Sequence, residues 1–219
     1  MAGDKVRVLI ADDHRLVSLG LRMVLERAGM EVVGEAATGR LAVEMAERLE
    51  PDVVLLDILM PDMDGLQALG AIRGGLPHAS IIIITAYARP DFLARAIAMG
   101  AAGYITKDED PAKIPVAVRA VVDGEAIVNR DLLMMALKEL SETTKAPAAT
   151  PDRVPPSLTP QQLRVLGLIA EGLDNDTIAH TLSVSKNTVK THVREIFQKL
   201  GVTDRTQAAV WALRNGFLT

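Results

Sequence analysis

Five polar side chains stand where apolar runs stop. Asp12 and Asp13 follow KVRVLI, Asp57 ends DVVLLD, Thr85 ends SIIIIT, and Lys107 comes just after GYIT. Singly, each has an ordinary role: an Asp pair before a helix caps it, Asp57 could close an Asx turn, and a lysine is usually solvated. Together, at four strand ends of one sheet, they point to a site. At about 4 Å and an effective dielectric near 20, each contact between two carboxylates costs about 4 kcal/mol. Either a pKa must rise or a divalent cation must sit among them, and hard oxygen ligands suit Mg²⁺. A carboxylate beside such an ion can act as a nucleophile and become an aspartyl-phosphate. The phosphoryl oxygens then need donors: the Lys107 ammonium, the Thr85 hydroxyl and backbone N–H groups. No general base is required, because the ionised carboxylate is already the nucleophile.

The elements that would position these groups alternate. The strand candidates are residues 5–10, 30–36, 52–57, 80–85 and 103–106, separated by stretches with apolar residues three and four apart, such as Leu16, Leu19, Val24 and Leu25. DVVLLD and SIIIIT are apolar on consecutive residues, as expected of a parallel sheet covered on both faces. Five such units predict a doubly wound five-stranded parallel α/β domain over residues 1–124, with sites outside the carboxyl ends of its strands. A further helical pattern over 131–140 leads into SETTKAPAATPDRVPPS, whose four prolines read as an extended linker, so 125–157 is expected to be helical and then Pro-rich. Residues 158–219 carry only helical patterns and predict a small all-α domain.

Composition separates the two parts. Residues 1–140 hold 15 Lys and Arg against 21 Asp and Glu, whereas 158–219 hold 7 against 5, so the modules should have different partners. There is no cysteine, which excludes disulfides, thiolate metal sites and cysteine nucleophiles. No apolar run approaches the length of a membrane span, and the N-terminal stretch is broken by aspartates, unlike a signal peptide. A cytoplasmic protein without a membrane association is expected.

In the second module, Thr159-Pro160 starts a helix and Gly172 stops it. Asp174 or Asn175 caps a short helix over 176–182, and Ser185 caps a longer one over 186–200, which Gly201 ends. A short helix, a tight turn and a longer basic helix form the helix-turn-helix pattern. Val189, Val193, Ile196 and Leu200 make its buried stripe, leaving Lys186, Asn187, Lys190, Thr191 and Arg194 outside.

The motifs IADDH, LLDILMPDMDG, IIIITAY and GAAGYITK, in this order, closely resemble the receiver domain of two-component response regulators over about residues 5–124. LTPQQ, LSVSKNTVKTHV and KLGVTDRTQA resemble the LuxR-type DNA-binding domain over about 60 residues. The resemblance implies a transcription regulator of the NarL/LuxR type rather than an enzyme, phosphorylated on Asp57 by a histidine kinase. It implies Mg²⁺ held by Asp12, Asp13, Asp57 and the Leu59 carbonyl, with Thr85 and Tyr104 moving as a switch and Lys107 binding the phosphoryl group. Lys190, Thr191 and Arg194 would face base edges, while Asn187, Thr188, His192 and Lys199 would lie near phosphates. Phosphorylation would favour a homodimer, paired through the helix at 206–215, on double-stranded DNA with inverted half-sites. The alternative is a regulator whose receiver-like part works without phosphorylation. A haloacid-dehalogenase-like phosphatase would need an acid where Leu59 stands, and no Gly-rich loop follows the first strand as a dinucleotide site requires.

This sequence departs from the family at several places. Asp108 follows Lys107 where many receivers have proline. Gln161-Gln162, Arg164 and Asp176-Thr177 replace residues usually Arg-Glu, Glu and Lys-Glu, so weaker phosphate contact is expected from the short helix. Leu59 and Tyr87, two residues beyond Asp57 and Thr85, are bulky where water would approach, which predicts slow loss of the phosphoryl group.

Overall fold

The computed structural model describes residues 5–86, 89–123, 125, 134, 138 and 158–217. Tyr87, most of the helical pattern at 131–140 and the proline-rich segment lie outside the described residues. The first module is a five-stranded parallel sheet made of β1 (Arg7–Ala11), β2 (Glu31–Ala36), β3 (Val53–Asp57), β4 (Ser80–Thr85) and β5 (Gly103–Thr106). Its helices are α1 (Arg15–Arg27), α2 (Gly39–Leu49), α3 (Gly65–Gly75), α4 (Pro90–Ala98) and α5 (Lys113–Val122). The strand order is β2-β1-β3-β4-β5, so the order reverses between β1 and β3. Asp12 and Asp57 therefore leave adjacent strands at the switch point, where open α/β sheets form sites.

Two cores explain the unbroken apolar runs. Along β3, Val54 and Leu56 join one cluster while Val53 and Leu55 join the other, and β4 divides likewise between Ile81 and Ile83 and between Ile82 and Ile84. Successive side chains of a strand point to opposite faces, and both faces are covered by helices. The strand ends are consequently stiff.

The second module comprises α6 (Pro160–Ala170), α7 (Asn175–Leu182), α8 (Lys186–Leu200) and α9 (Arg205–Arg214) around a core of its own that includes Val165, Ile178, Val189, Val193 and Ile196. Its start signals act as expected. Thr159 and Gln162 form a capping box with Pro160 in the first turn, Asp174 accepts from Thr177 N–H, and Ser185 accepts from Thr188 N–H. Gly201 ends α8 in the left-handed region at φ 67°, where a side chain would be strained.

Candidate phosphoacceptor pocket and nucleic-acid interface

Asp57 is held by neighbours that leave it no freedom. Its strand pairs with β4, with Asp57 opposite Ile84, and the chain then folds back so closely that a Cβ at Gly65 would overlap the Asp57 carbonyl oxygen. Asp64 next caps α3 in a capping box with Gln67. On β1, Asp12 is fixed by accepting the His14 N–H at 2.9 Å. Lys107 is placed by its own N–H, which donates to the Thr85 carbonyl at 2.7 Å.

These placements bring the predicted groups together. Lys107 Nζ donates to Asp57 Oδ2 at 2.7 Å and lies 2.6 Å from Asp12 Oδ2. Asp12, Asp57 and Thr85 are each almost wholly buried, while Asp13 sits at the rim. Burial pushes the Asp57 carboxyl above its ordinary value, and Lys107 offsets this only in part. Burial also opposes the charge on Lys107, yet its bonds to Asp12 and Asp57 outweigh it and hold the ammonium pKa above the ordinary value. The ammonium answers the mutual repulsion of the two buried carboxylates.

The same cluster fits a divalent cation. Asp12 Oδ2 is buried and accepts no aligned hydrogen bond, its contact with Lys107 being ionic. One ligand atom from each of Asp12, Asp13, His14 and Asp57 lies within 4.8 Å of the others. Three carboxylates are the hard donors that Mg²⁺ or Ca²⁺ takes. His14, unassigned by sequence reasoning, has its Nδ1 2.7 Å from Asp13 Oδ1; its place directly after the two aspartates was the available signal. The Leu59 backbone works against the rise of the Asp57 carboxyl, and Leu59 is 54% exposed at the mouth. Tyr104 is 6% exposed and already packed in a core cluster.

On α8, the outward residues stand as the period requires: Lys186, Asn187, Thr188, Thr191 and Arg194 are exposed, and Lys190 and His192 are half-buried. Two of the cations are engaged at the surface. Lys186 Nζ lies 2.7 Å from Asp176, so an acidic residue of α7 occupies a lysine of the basic helix. Lys190 Nζ lies 2.9 Å from Asp123, at the end of α5 in the first module. A cavity of about 160 Å³ beside it is lined by Lys190, Arg194 and Val122 among others. Lys199 donates to Gln162 Oε1 at 2.8 Å, and Gln162 donates to Glu195 at 2.6 Å. Lys199 thus ties α8 to α6.

The helix α9 also touches the first module. Thr206 is fully buried and donates to the Ala102 carbonyl at 3.2 Å. Val210 belongs to the core cluster of the sheet. This is the helix expected to be available for pairing, and in this arrangement the first module covers part of it. Arg73 is the centre of the contact: it donates to the carbonyls of Pro77 and Ala79, to that of Gly100, and to Thr203 Oγ1 at 2.8 Å. Its guanidinium is 3.4 Å from Asp204 Oδ2. Burial pushes the Asp204 carboxyl up and the Arg73 guanidinium down, so their attraction does not repay desolvation. Buried pairs of this kind give geometry more than strength.

Comparison with known proteins agrees with both halves. Residues 8–119 match the response regulator receiver domain, and residues 156–212 match the bacterial regulatory proteins of the luxR family. The chain is 40% identical over its whole length and that of the transcriptional regulatory protein YxjL of Bacillus subtilis strain 168. It is 40% identical to LiaR of the same organism, covering 96% of this chain and 98% of LiaR. Among solved structures, the receiver of NarL from Mycobacterium tuberculosis superposes with TM-score 0.54 at 39% identity, over 56% of this chain and all of that one. RcsB, solved as two dimers bound to two parallel DNAs, superposes with TM-score 0.56 at 26% identity, over 97% of this chain and 99% of that one. The chain belongs to the two-component response regulators of the NarL/LuxR type, and it is a transcription regulator that joins a receiver to a LuxR-family DNA-binding domain.

Proposed function

We propose that Asp57 accepts a phosphoryl group from a sensor histidine kinase in the cytoplasm, and that this releases the DNA-reading helix for a homodimer to use. The observation that carries the reading is the placement of Asp57: a buried carboxylate whose oxygen is held by Lys107, beside Thr85 and two further aspartates. Asp12, Asp13 and Asp57 with the Leu59 carbonyl would hold Mg²⁺, which supplies positive charge against the anionic phosphoryl group. Asp57 attacks phosphorus as the carboxylate. Lys107 and Thr85 donate to the new phosphoryl oxygens, which requires Lys107 to give up part of its hold on Asp12.

The contacts between the modules support the second half. Lys190 is taken by Asp123, and Val210 and Thr206 are covered by the receiver. DNA and a partner α9 would compete with these contacts. Opening returns the buried Arg73–Asp204 pair to water, which lowers the cost of parting the modules when the receiver changes. In the open state, Lys190, Thr191 and Arg194 reach base edges, Lys and Arg pairing with guanine. Lys186, Asn187, Thr188 and His192 contact phosphates or their surroundings. Two-fold pairing places two half-sites about one helical turn apart.

Selection of DNA by the full chain, with and without a phosphoryl donor, tests this when wild type is compared with Asp57→Ala. Donor-dependent enrichment of an inverted repeat by wild type alone is expected. Equal binding in all arms would refute the switch and favour a receiver that works without phosphorylation.

A further inference from the structure

His14 belongs to the cluster around Asp57, yet phosphoryl transfer makes no use of it. Its Nδ1 lies 2.7 Å from Asp13 Oδ1 and 3.5 Å from Asp12 Oδ1. One ligand atom from each of Asp12, Asp13, His14 and Asp57 falls within 4.8 Å of the others. The backbone accounts for this position. His14 is the N-cap of α1, in an extended conformation, and its N–H donates to Asp12 Oδ1 at 2.9 Å. Its side chain makes no capping bond, so the helix does not hold the imidazole away from the carboxylates. The ring is exposed, which leaves a path for an ion to enter. Lys107 meets Asp12 and Asp57 at Oδ2 of each, whereas His14 meets Asp12 and Asp13 at Oδ1. The ammonium and the imidazole therefore address different oxygens of Asp12, and one does not exclude the other.

Ligand type decides which ion such a cluster prefers. Carboxylate and carbonyl oxygens suit Mg²⁺, Ca²⁺ and Mn²⁺, whereas imidazole suits the later first-row ions, for which affinity climbs from Mn²⁺ to Co²⁺ to Ni²⁺. Mg²⁺ gives up its waters reluctantly and takes oxygen ligands, so a nitrogen adds little to its binding. We propose that His14 is a fourth protein ligand of the cation site, and that its nitrogen shifts the preference of the site from Mg²⁺ toward first-row transition ions. The inference rests on Asp12, Asp13 and Asp57 holding a divalent cation. At 2.7 Å, His14 Nδ1 and Asp13 Oδ1 are close enough to share a proton. An entering ion takes that place, and the neutral ring then carries its proton on Nε2. An imidazole that only paired with Asp13 would offer nothing to distinguish one divalent ion from another.

The full-length protein is titrated calorimetrically with Mg²⁺, Mn²⁺ and Co²⁺, as wild type, His14→Ala and His14→Gln. Loss of even an outer-shell partner weakens a metal site about tenfold or more, so each variant should lose about tenfold in affinity for Co²⁺, less for Mn²⁺ and least for Mg²⁺. Glutamine keeps a comparable reach but offers oxygen in place of nitrogen. Each Co²⁺ affinity is divided by the same variant's Mg²⁺ affinity, so that a general loss of fold does not imitate the effect. The electron spin echo of bound Mn²⁺ should show coupling to a nitrogen in wild type and none in either variant. The chain has three other histidines, His78, His180 and His192, and a nitrogen coupling that survives in both variants would come from elsewhere and overturn the proposal. Absence of the coupling in wild type overturns it too, as does an equal loss of affinity for all three ions. Affinities unchanged in Asp12→Asn would instead overturn the three-carboxylate site, a separate result.

Discussion

The phosphoacceptor pocket and the DNA-reading helix are built in opposite ways. The pocket gathers Asp12, Asp57, Thr85 and Lys107 from four strands, and all but Lys107 are nearly excluded from solvent. The helix carries its candidate DNA-contacting residues on one continuous segment, and most of them are exposed. Yet the pocket's charges meet one another within the receiver, whereas the helix is answered by groups outside it: Asp176 from α7, Gln162 from α6 and Asp123 from the receiver. A buried charge must find its partner within its own fold, because leaving it unpaired is prohibitive. An exposed charge takes whatever partner is near at little gain. That difference makes the pocket a fixed device and the helix a surface whose availability can be regulated.

The sharpest way to break the comparison is to disable the pocket and ask whether the helix notices. Asp57→Ala should abolish the effect of a phosphoryl donor on DNA binding while leaving the fold intact. Electrophoretic mobility shifts with and without donor read this directly, and a donor response retained by the variant would separate the two regions altogether. The next effect concerns stability. Lys107→Met leaves the buried Asp12 and Asp57 carboxylates without their shared ammonium, and breaking such a pair costs about 3 kcal/mol. Urea unfolding should show a midpoint well below wild type, and Mg²⁺ should restore more of the loss in the variant than it adds to wild type. A variant as stable as wild type without the ion would mean that the carboxylates are relieved by protonation instead.

Legibility in the sequence followed the same division. The strand over 80–85 matches β4 residue for residue, because consecutive isoleucines are buried on two faces by a covered strand, and the strand over 103–106 matches β5. The gathering of Asp12, Asp57 and Lys107 was readable because each polar group interrupts an apolar run at a strand end, and one parallel topology brings all such ends to one edge. Helix ends were readable from local chemistry, as at Thr159, Asp174, Ser185 and Gly201. What escaped was set by tertiary contact. Nothing around Val210 distinguishes a pairing face from one covered by the receiver, and nothing in Lys190 or Asp123 announces a partner 67 positions away. The resemblance implied a phosphate contact for Lys199, but its bond to Gln162 depends on how α6 crosses α8.

The helix can be probed by itself. Lys190→Ala removes a cation expected at a guanine edge, and loss of one such pairing costs about 2 kcal/mol, or roughly thirtyfold in affinity. The loss should be greatest for the selected site and smaller for unrelated DNA. Equal loss on both would make Lys190 a phosphate contact. In the receiver, the bulk of Leu59 over Asp57 should keep the phosphoryl group in place for minutes or longer. Loss of the label within seconds, followed by mass spectrometry after the donor is removed, would show that the side chain does not obstruct water.

The smallest effect is the most discriminating, because it lies where the two regions meet. Asp123 and Lys190 are 58% and 36% exposed, so their ion pair contributes at most about 1 kcal/mol. Asp123→Asn keeps the shape and removes the charge, and should raise the affinity of the unphosphorylated chain for its DNA by up to about fivefold. Removing any acidic group near DNA raises affinity somewhat through the general field, so the informative quantity is the difference between the two phosphorylation states. If the pair belongs to a closed arrangement that phosphorylation opens, the gain appears in the unphosphorylated chain and is much smaller in the phosphorylated one. In combination with Lys190→Ala, the Asp123→Asn gain should vanish from the unphosphorylated chain, leaving only the field effect. An equal gain in both states would make Asp123 an ordinary surface charge and leave Val210, Thr206 and Arg73 as the contacts through which the pocket governs the helix.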